Sequence, residues 1–245
     1  MSRTLCLAFG AAVYLIFFAT FLYMIGFLAN LPQLPYRIDG PPTSWGYHAA
    51  LIDGALILFF GLQHSLMARP AFKCAWTRIV PEPIERSTYV LAASAVLILL
   101  FVCWQPLPIA IWHVDRPVTA AILWGFFALG WLIVLLSTYL ISHFELFGLK
   151  QVWLNMRGLK GEAPVLRRPL FYKLVRHPLY SGFFLAFWAT PHMTLGHLLF
   201  ALGMSAYMLI AIRYEERDLI GVFGDDYVRY RKEVGMLTPR MKRRA

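Results

Sequence analysis

The sequence predicts an all-α integral membrane protein of five to six transmembrane helices, ending in a short helical hairpin. Three observations carry this. Of 245 residues, 59% are hydrophobic and only 15% charged, and the mean hydropathy is +0.59. A soluble domain of this length has too little interior to hide so much apolar surface. Apolar runs long enough to cross a bilayer recur along the chain, since a spanning helix needs about 20 such residues. The Lys and Arg residues are confined to the short segments between those runs.

Four runs qualify as spans: Leu5–Ala29, Tyr47–Met67, Thr88–Trp104 and Thr119–Ile141. The first exceeds the about 7–15 residues of a signal-peptide core and has no small-residue cleavage site after it, so it reads as a retained helix. A further apolar stretch, Gly182–Ile212, is too long for one span and is interrupted at Pro191-His192-Met193-Thr194-Leu195-Gly196-His197. Pro and Gly there fit a tight helical turn, giving two short helices, each near the lower limit for crossing. Trp45, Tyr47, Trp104, Trp112 and Trp124 lie near span ends, where aromatic belts anchor helices. The length suits one domain over 1–245, with four N-terminal spans in 1–141 and a second part in 142–245 containing the hairpin 182–212.

The net charge of +10 invites a nucleic-acid reading, but its distribution argues against one. If six helices alternate, 21 of the 23 Lys and Arg residues fall on one face, and only Arg37 and Arg116 on the other. That is the positive-inside pattern, which places the basic face and both termini in the cytoplasm, across the cell's inner (plasma) membrane. Cys6, Cys74 and Cys103 are an odd set, two of them inside apolar runs, so no disulfide framework is expected. No Cys/His cluster suggests a metal.

The largest pieces outside the spans are 143–180 and 215–245, both on the basic face, where chemistry with a soluble cofactor would reside. The first ends in Tyr172-Lys173-Leu174-Val175-Arg176-His177-Pro178-Leu179-Tyr180-Ser181-Gly182. Pro178 suits the first turn of a helix and pushes His177 toward an extended conformation. Backbone N–H groups at that helix start, flanked by Arg176 and His177, suit an anion; the same residues also read as a basic anchor before a span. The second stretch opens where the hairpin returns, with Arg213-Tyr214-Glu215-Glu216-Arg217-Asp218-Leu219, then Phe223-Gly224-Asp225-Asp226-Tyr227 and Tyr230. Adjacent carboxylates at a membrane exit are costly unless used or solvated. Glu215 points inward and Glu216 outward, or the reverse. Tyr227 and Tyr230 share a helix face. A solvated amphipathic tail helix on the membrane is the plain alternative. The hairpin joins the two stretches and must bring them close.

Together they resemble the isoprenylcysteine carboxyl methyltransferase superfamily, which includes phospholipid methyltransferases and NnrU-like proteins. Its pattern is a Tyr-Arg-x-Val-Arg-His-Pro-x-Tyr-x-Gly-like run, a helical hairpin, and Glu-Glu-x-x-Leu-x-x-x-Phe-Gly-x-x-Tyr-x-x-Tyr. The resemblance covers about the last hundred residues. It implies S-adenosyl-L-methionine as cofactor, with Tyr172, Arg176, His177, Pro178, Leu179 and Tyr180 lining its site. Glu215 or Glu216 would close the site, and Pro164–Arg167 (Val165 and Leu166 in particular) would pass nearby. One departure is Leu170-Phe171, where the family carries Gly-Pro before the Tyr. Upstream, Ser142–Gln151 and Gly61-Leu62-Gln63-His64-Ser65 look like the bacterial methanethiol S-methyltransferases, which make dimethyl sulfide from a small thiol. That resemblance implies a membrane-embedded enzyme acting on methanethiol or another small thiol. The alternatives are a prenylcysteine carboxyl or phospholipid methyltransferase, or a non-enzymatic NnrU-like factor.

Sulfur attacks as thiolate, so a proton acceptor or a cationic neighbour is needed. His64 shares a face of the second helix with Asp53, eleven residues away and so about three turns, and lies near the cytoplasmic end. His143 and Glu145, at the end of the fourth span, are rival acceptors pointing to different sides. Arg213 would steer the thiolate or the cofactor carboxylate. Asp53 reads as a packing or gating residue, and His192 and His197 fall in the outer turn.

Overall fold

A computed structural model describes residues 1–41, 46–161, 163 and 165–240. Trp45 and Pro164 lie outside the described residues. The helices are α1 (Arg3–Leu28), α2 (Gly46–Ala68), α3 (Pro70–Trp76), α4 (Glu82–Cys103), α5 (Pro117–Ile141), α6 (His143–Leu146), α7 (Leu149–Arg157), α8 (Pro178–Trp188), α9 (Leu195–Phe223) and α10 (Asp225–Glu233). Two short strands, β1 (Ala110–His113) and β2 (His192–Thr194), pair with each other. Among the described residues five helices are long and apolar enough to cross a membrane: α1, α2, α4, α5 and α9. Their large apolar side chains point outward, with Leu15 67% and Leu58 61% exposed. Only lipid makes that favourable, and the chain is a multi-pass membrane protein.

The chain divides into two compact units. The first comprises Met1–Trp112, His143–Glu162 and His192–Gly203. In α1 the Ser2 hydroxyl caps the helix by accepting the Leu5 N–H, as small polar residues do at helix starts. Cys6, Gly10, Val13, Thr20, Met24 and Phe27 form its buried stripe, the helical spacing of one packed face. That stripe meets α4 and α7. On α2 the buried residues are Ala49, Asp53, Ile57 and Phe60. Asp53 Oδ1 accepts the Gln105 N–H at 2.8 Å, so this intramembrane carboxylate fixes the chain just past the end of α4. Thr194 donates its hydroxyl to Asp39 at 2.5 Å and accepts the His197 N–H at 3.1 Å, capping α9. Burial pushes the Asp39 carboxyl above the usual carboxylate range.

The second unit comprises His113–Ser142, Ala163–Pro191 and Met204–Ala245. Its centre is the crossing of α5 and α8. A Cβ on Gly130 would lie 2.6 Å from the Ala186 nitrogen, and one on Gly182 2.7 Å from the Gly130 carbonyl oxygen. The two backbones therefore touch, as small residues permit between membrane helices. Trp131 packs edge-on against Phe183 and Phe187 beside this contact.

Several expectations need correcting. The chain does break before Leu195, but the second hairpin helix is not short. α9 has 29 residues and runs through Glu215 and Glu216, because Arg213–Asp218 continues the helical register without a breaker. α8 has 11 residues, or roughly 16 Å of helix, about half the hydrocarbon core. The fourth span stops at Ile141, where Ser142 is extended (φ 179°, ψ 83°), so His143 and Glu145 sit on the separate turn α6. Trp104 is no interfacial anchor. It is 5% exposed, donates its indole N–H to the Ile38 carbonyl, and packs against Phe27 and Phe200. Tyr47, Trp112 and Trp124 are exposed.

Candidate functional site

The two motif stretches meet in the second unit, and the meeting point is Glu216. Glu216 is the inward member of the acidic pair, 8% exposed, while Glu215 is half-buried. Its Oε1 accepts from Arg176 Nε at 2.7 Å and from His177 Nε2–H at 3.1 Å. Arg231, on α10, lies 3.6 Å from Oε2. The anion beside the start of α8 is thus the protein's own carboxylate.

Pro178 is the first residue of α8, as its fixed φ favours. His177 precedes it with φ −125° and ψ 63° and makes no side-chain cap. The chain's own tail pairs with the residues leading into the helix. The N–H groups of Arg176 and His177 donate to the carbonyls of Gly235 (2.8 Å) and Met236 (3.1 Å), and the Ser181 hydroxyl donates to that of Leu237 at 2.8 Å. Arg176 also donates to the carbonyls of Arg231 and Val234. A single guanidinium therefore ties α8, α9 and the tail together.

Three phenols pack behind this ion pair. Tyr172 lies on a 3-10 turn over Leu170–Lys173, and the Tyr230 hydroxyl donates to its carbonyl at 2.5 Å. Tyr227 meets Tyr230 edge-on, and the Arg168 guanidinium covers the Tyr230 ring at 4.5 Å. Burial, with Glu215 second, pushes the Tyr172 hydroxyl well above the usual phenol range, and burial with Glu216 and Glu215 does so for Tyr227. Burial raises Tyr230 to about 12, opposed by Arg168 and Arg176. All three stay neutral donors at physiological pH.

Beside Glu216 opens a cleft of about 360 Å³ lined by Arg213, Glu216, Arg217, Ile220 and Arg231. That volume falls in the small-molecule range, about 300–1,000 Å³. Of the other residues singled out, Leu179 and Tyr180 are half-buried in the first turn of α8, Leu166 is half-buried, and Val165 is 70% exposed.

His64, His143 and Glu145 belong to the first unit. His64 Nε2 shares a 2.7 Å hydrogen bond with the Tyr89 hydroxyl, and Arg86 lies over the Tyr89 ring at 4.9 Å. His143 is buried, and its Nε2 shares a 2.8 Å hydrogen bond with the Tyr14 hydroxyl; burial lowers its pKa. Glu145 points away into solvent and pairs with Lys150 at 2.8 Å. The two thus face different ways, as their spacing requires. Sequence reasoning missed Tyr14 and Tyr89, which lie within apolar runs and carry no signal distinguishing them from packing aromatics. It also missed Arg217 and Arg231 and the tail 235–237, whose roles depend on a long-range return of the chain. Among the described residues no group of three or more His, Cys, Asp or Glu could hold a metal ion.

Comparison with known proteins gives matches along nearly the whole chain. It is 48% identical over 239 residues to the methanethiol S-methyltransferase of Mycobacterium tuberculosis, covering 98% of each chain. It is 47% identical over 239 residues to that of Crocosphaera subtropica, covering 98% of this chain and 93% of the relative. With that of a Pseudomonas species the identity is 50% over 235 residues, covering 96% and 90%. A more distant relative is nurim of Pan troglodytes, 30% identical over 233 residues, covering 87% and 85%. No family model matches the chain. No solved structure matches it.

Proposed function

Because the chain belongs to the methanethiol S-methyltransferase family of membrane enzymes, we propose that it methylates methanethiol with S-adenosylmethionine, releasing dimethyl sulfide. We place the reaction at the cytoplasmic face of the plasma membrane, where the charge bias would put Arg176 and Glu216. The observation that carries the reading is the near-full-length identity to proteins of that name. The convergence of the two motif stretches on Glu216 supports it.

The residues present fit such a methyl donor. The cofactor is zwitterionic in its amino-acid arm, and the cleft offers both signs of charge: Glu216 on one wall, Arg213, Arg217 and Arg231 on the others. Tyr172, His177, Pro178, Leu179, Tyr180 and Glu215 are the further residues we assign to holding it, with Val165 and Leu166 in the segment leading to them. S-adenosylmethionine supplies an electrophilic methyl group on a sulfonium sulfur. The protein's part is positional and electrostatic. Arg176 and His177 hold the Glu216 carboxylate in place, and the tyrosines packed behind it are neutral. Orientation of this kind provides much of the rate in a displacement that needs no covalent enzyme intermediate. For the thiol proton we keep His64 and His143 as the two candidate acceptors, each hydrogen-bonded through Nε2 to a tyrosine hydroxyl, Tyr89 and Tyr14; Glu145 is paired with Lys150 at the surface.

Headspace analysis of cells expressing the chain and supplied with methanethiol tests the reading. Dimethyl sulfide should accumulate above the level of cells carrying an empty vector, and purified protein should bind S-adenosylhomocysteine. Absence of both from folded, membrane-inserted protein would overturn it.

A further inference from the structure

We propose that the end of α7, together with the start of α1, is a binding surface for an anionic phospholipid, with Arg3, Arg157 and Lys160 receiving its headgroup. These residues belong to the first unit alone, and the assignment does not depend on the methyltransferase reading.

Two close approaches hold α7 alongside the first turns of α1. A Cβ on Gly10 would lie 2.6 Å from Val152 Cγ2, and Val152 shares a buried cluster with Cys6 and Ile84. At the other end of α7, a Cβ on Gly158 would lie 3.2 Å from Arg3 Nη1. Gly158 closes the helix with φ +69°, its N–H donating to the Asn155 carbonyl. Having no side chain, it lets the Arg3 guanidinium pack against the turn. α7 therefore runs back along α1 toward that helix's first residue, over the roughly 10 Å that separate Gly10 from Arg3 along the axis. Since α1 has the length and hydropathy of a span, α7 lies at the level where that span ends.

Around that turn Arg3, Arg157 and Lys160 are all exposed, and among the described residues no hydrogen bond or ion pair engages their side chains. Glu82 and Glu85, in the first turn of α4, pair with none of them, and Glu145 is taken by Lys150. Large apolar side chains stand beside the cations. Trp153 is 52% and Leu159 59% exposed, and the Arg157 guanidinium lies 5.8 Å from the Trp153 ring. One face packed on the protein, with indole and cations on the open side, is the make-up of a helix at the membrane interface. A soluble acidic partner would satisfy the cations but leave Trp153 and Leu159 uncovered. A phospholipid meets both needs: its phosphate accepts from guanidinium through paired N–H donors, and its acyl chains cover the apolar side chains. Three cations without a carboxylate leave an excess of positive charge, which favours a headgroup of net negative charge over a zwitterionic one.

The test titrates short-chain phosphatidylglycerol, and phosphatidylcholine of the same chain length, into purified full-length protein in neutral detergent. The unaltered protein should bind phosphatidylglycerol several-fold more tightly. Arg3→Gln and Arg157→Gln should each weaken phosphatidylglycerol binding roughly fivefold, the contribution of one cation at an anionic membrane surface. Their affinity for phosphatidylcholine and their thermal midpoints should match those of the unaltered protein. The two variants lie on different helices, so a folding defect in one leaves the other to decide. Arg78→Gln removes an exposed cation of the same unit away from this turn and should leave phosphatidylglycerol binding unchanged. Equal affinity for the two lipids would overturn the assignment. So would equal losses in Arg78→Gln and Arg157→Gln, which would mean a diffuse attraction to the whole basic face. Displacement of phosphatidylglycerol by an equal concentration of inorganic phosphate would overturn it as well, since the surface would then read a free anion and not a lipid.

Discussion

Glu216 and Arg176 are each about a tenth exposed, 11% and 10% of their side-chain surface, and a charge so placed is tolerable only while its partners remain. Removing one partner leaves the other buried and uncompensated. Glu216→Ala should therefore lower stability by about 3–5 kcal/mol, read as a lower thermal midpoint in detergent. Arg231→Ala, at the exposed rim of the same carboxylate, should cost no more than about 1 kcal/mol. Equal costs would mean that the ion pair is not the centre of this unit. Sequence could present the Glu215-Glu216 pair as notable but could not choose between them. The choice depends on the rotation of α9 relative to His177, and that is fixed by contacts about 40 residues apart in sequence. Leu170 shows the converse. The family pattern has glycine there, and the backbone adopts φ +33°, a left-handed value that favours glycine. The leucine therefore sits in a conformation costly for a side-chain-bearing residue, with its side chain exposed.

Among elements, the spans were the most legible, because lipid demands long uninterrupted apolar runs and the sequence has little freedom to hide them. Thr119–Ile141 reads directly as α5. What lies at span ends was not legible. α6 exists because Ser142 goes extended, and β1 is four exposed residues with no alternation to betray a strand. The α5–α8 crossing explains Gly182, which sequence gave only as part of a motif: it is a packing residue facing Gly130. Gly130→Ala must push α8 away, since its Cβ would lie 2.6 Å from a backbone nitrogen and 2.7 Å from a carbonyl oxygen. Overpacking of that kind costs about 1–3 kcal/mol. Gly125→Ala on the same helix meets nothing within 4 Å and should be neutral or slightly stabilising by helix propensity. Thermal unfolding of the two variants side by side checks this, and comparable midpoints would remove close backbone contact as the reason for the glycine.

For the molecule as a whole, the question is how the chain threads the bilayer when α8 is too short to span it. Two contacts constrain the path. In the first unit β2 pairs with β1, in the connection between α4 and α5. In the second, Glu216 near the end of α9 meets Arg176 and His177 at the start of α8. If α8, the extended residues after it and α9 together make one passage out and back, the chain crosses an even number of times and both termini lie on one side, which the charge bias would make cytoplasmic. In a background lacking Cys74 and Cys103, His113→Cys, at a side chain 57% exposed, should react in intact cells with a membrane-impermeant maleimide. Lys160→Cys, also exposed, should react only after the membrane is opened. Labelling of Lys160→Cys alone in intact cells would invert the orientation. Labelling of both would mean that β1 and the segment after α7 share a face, and the even-passage path would fail.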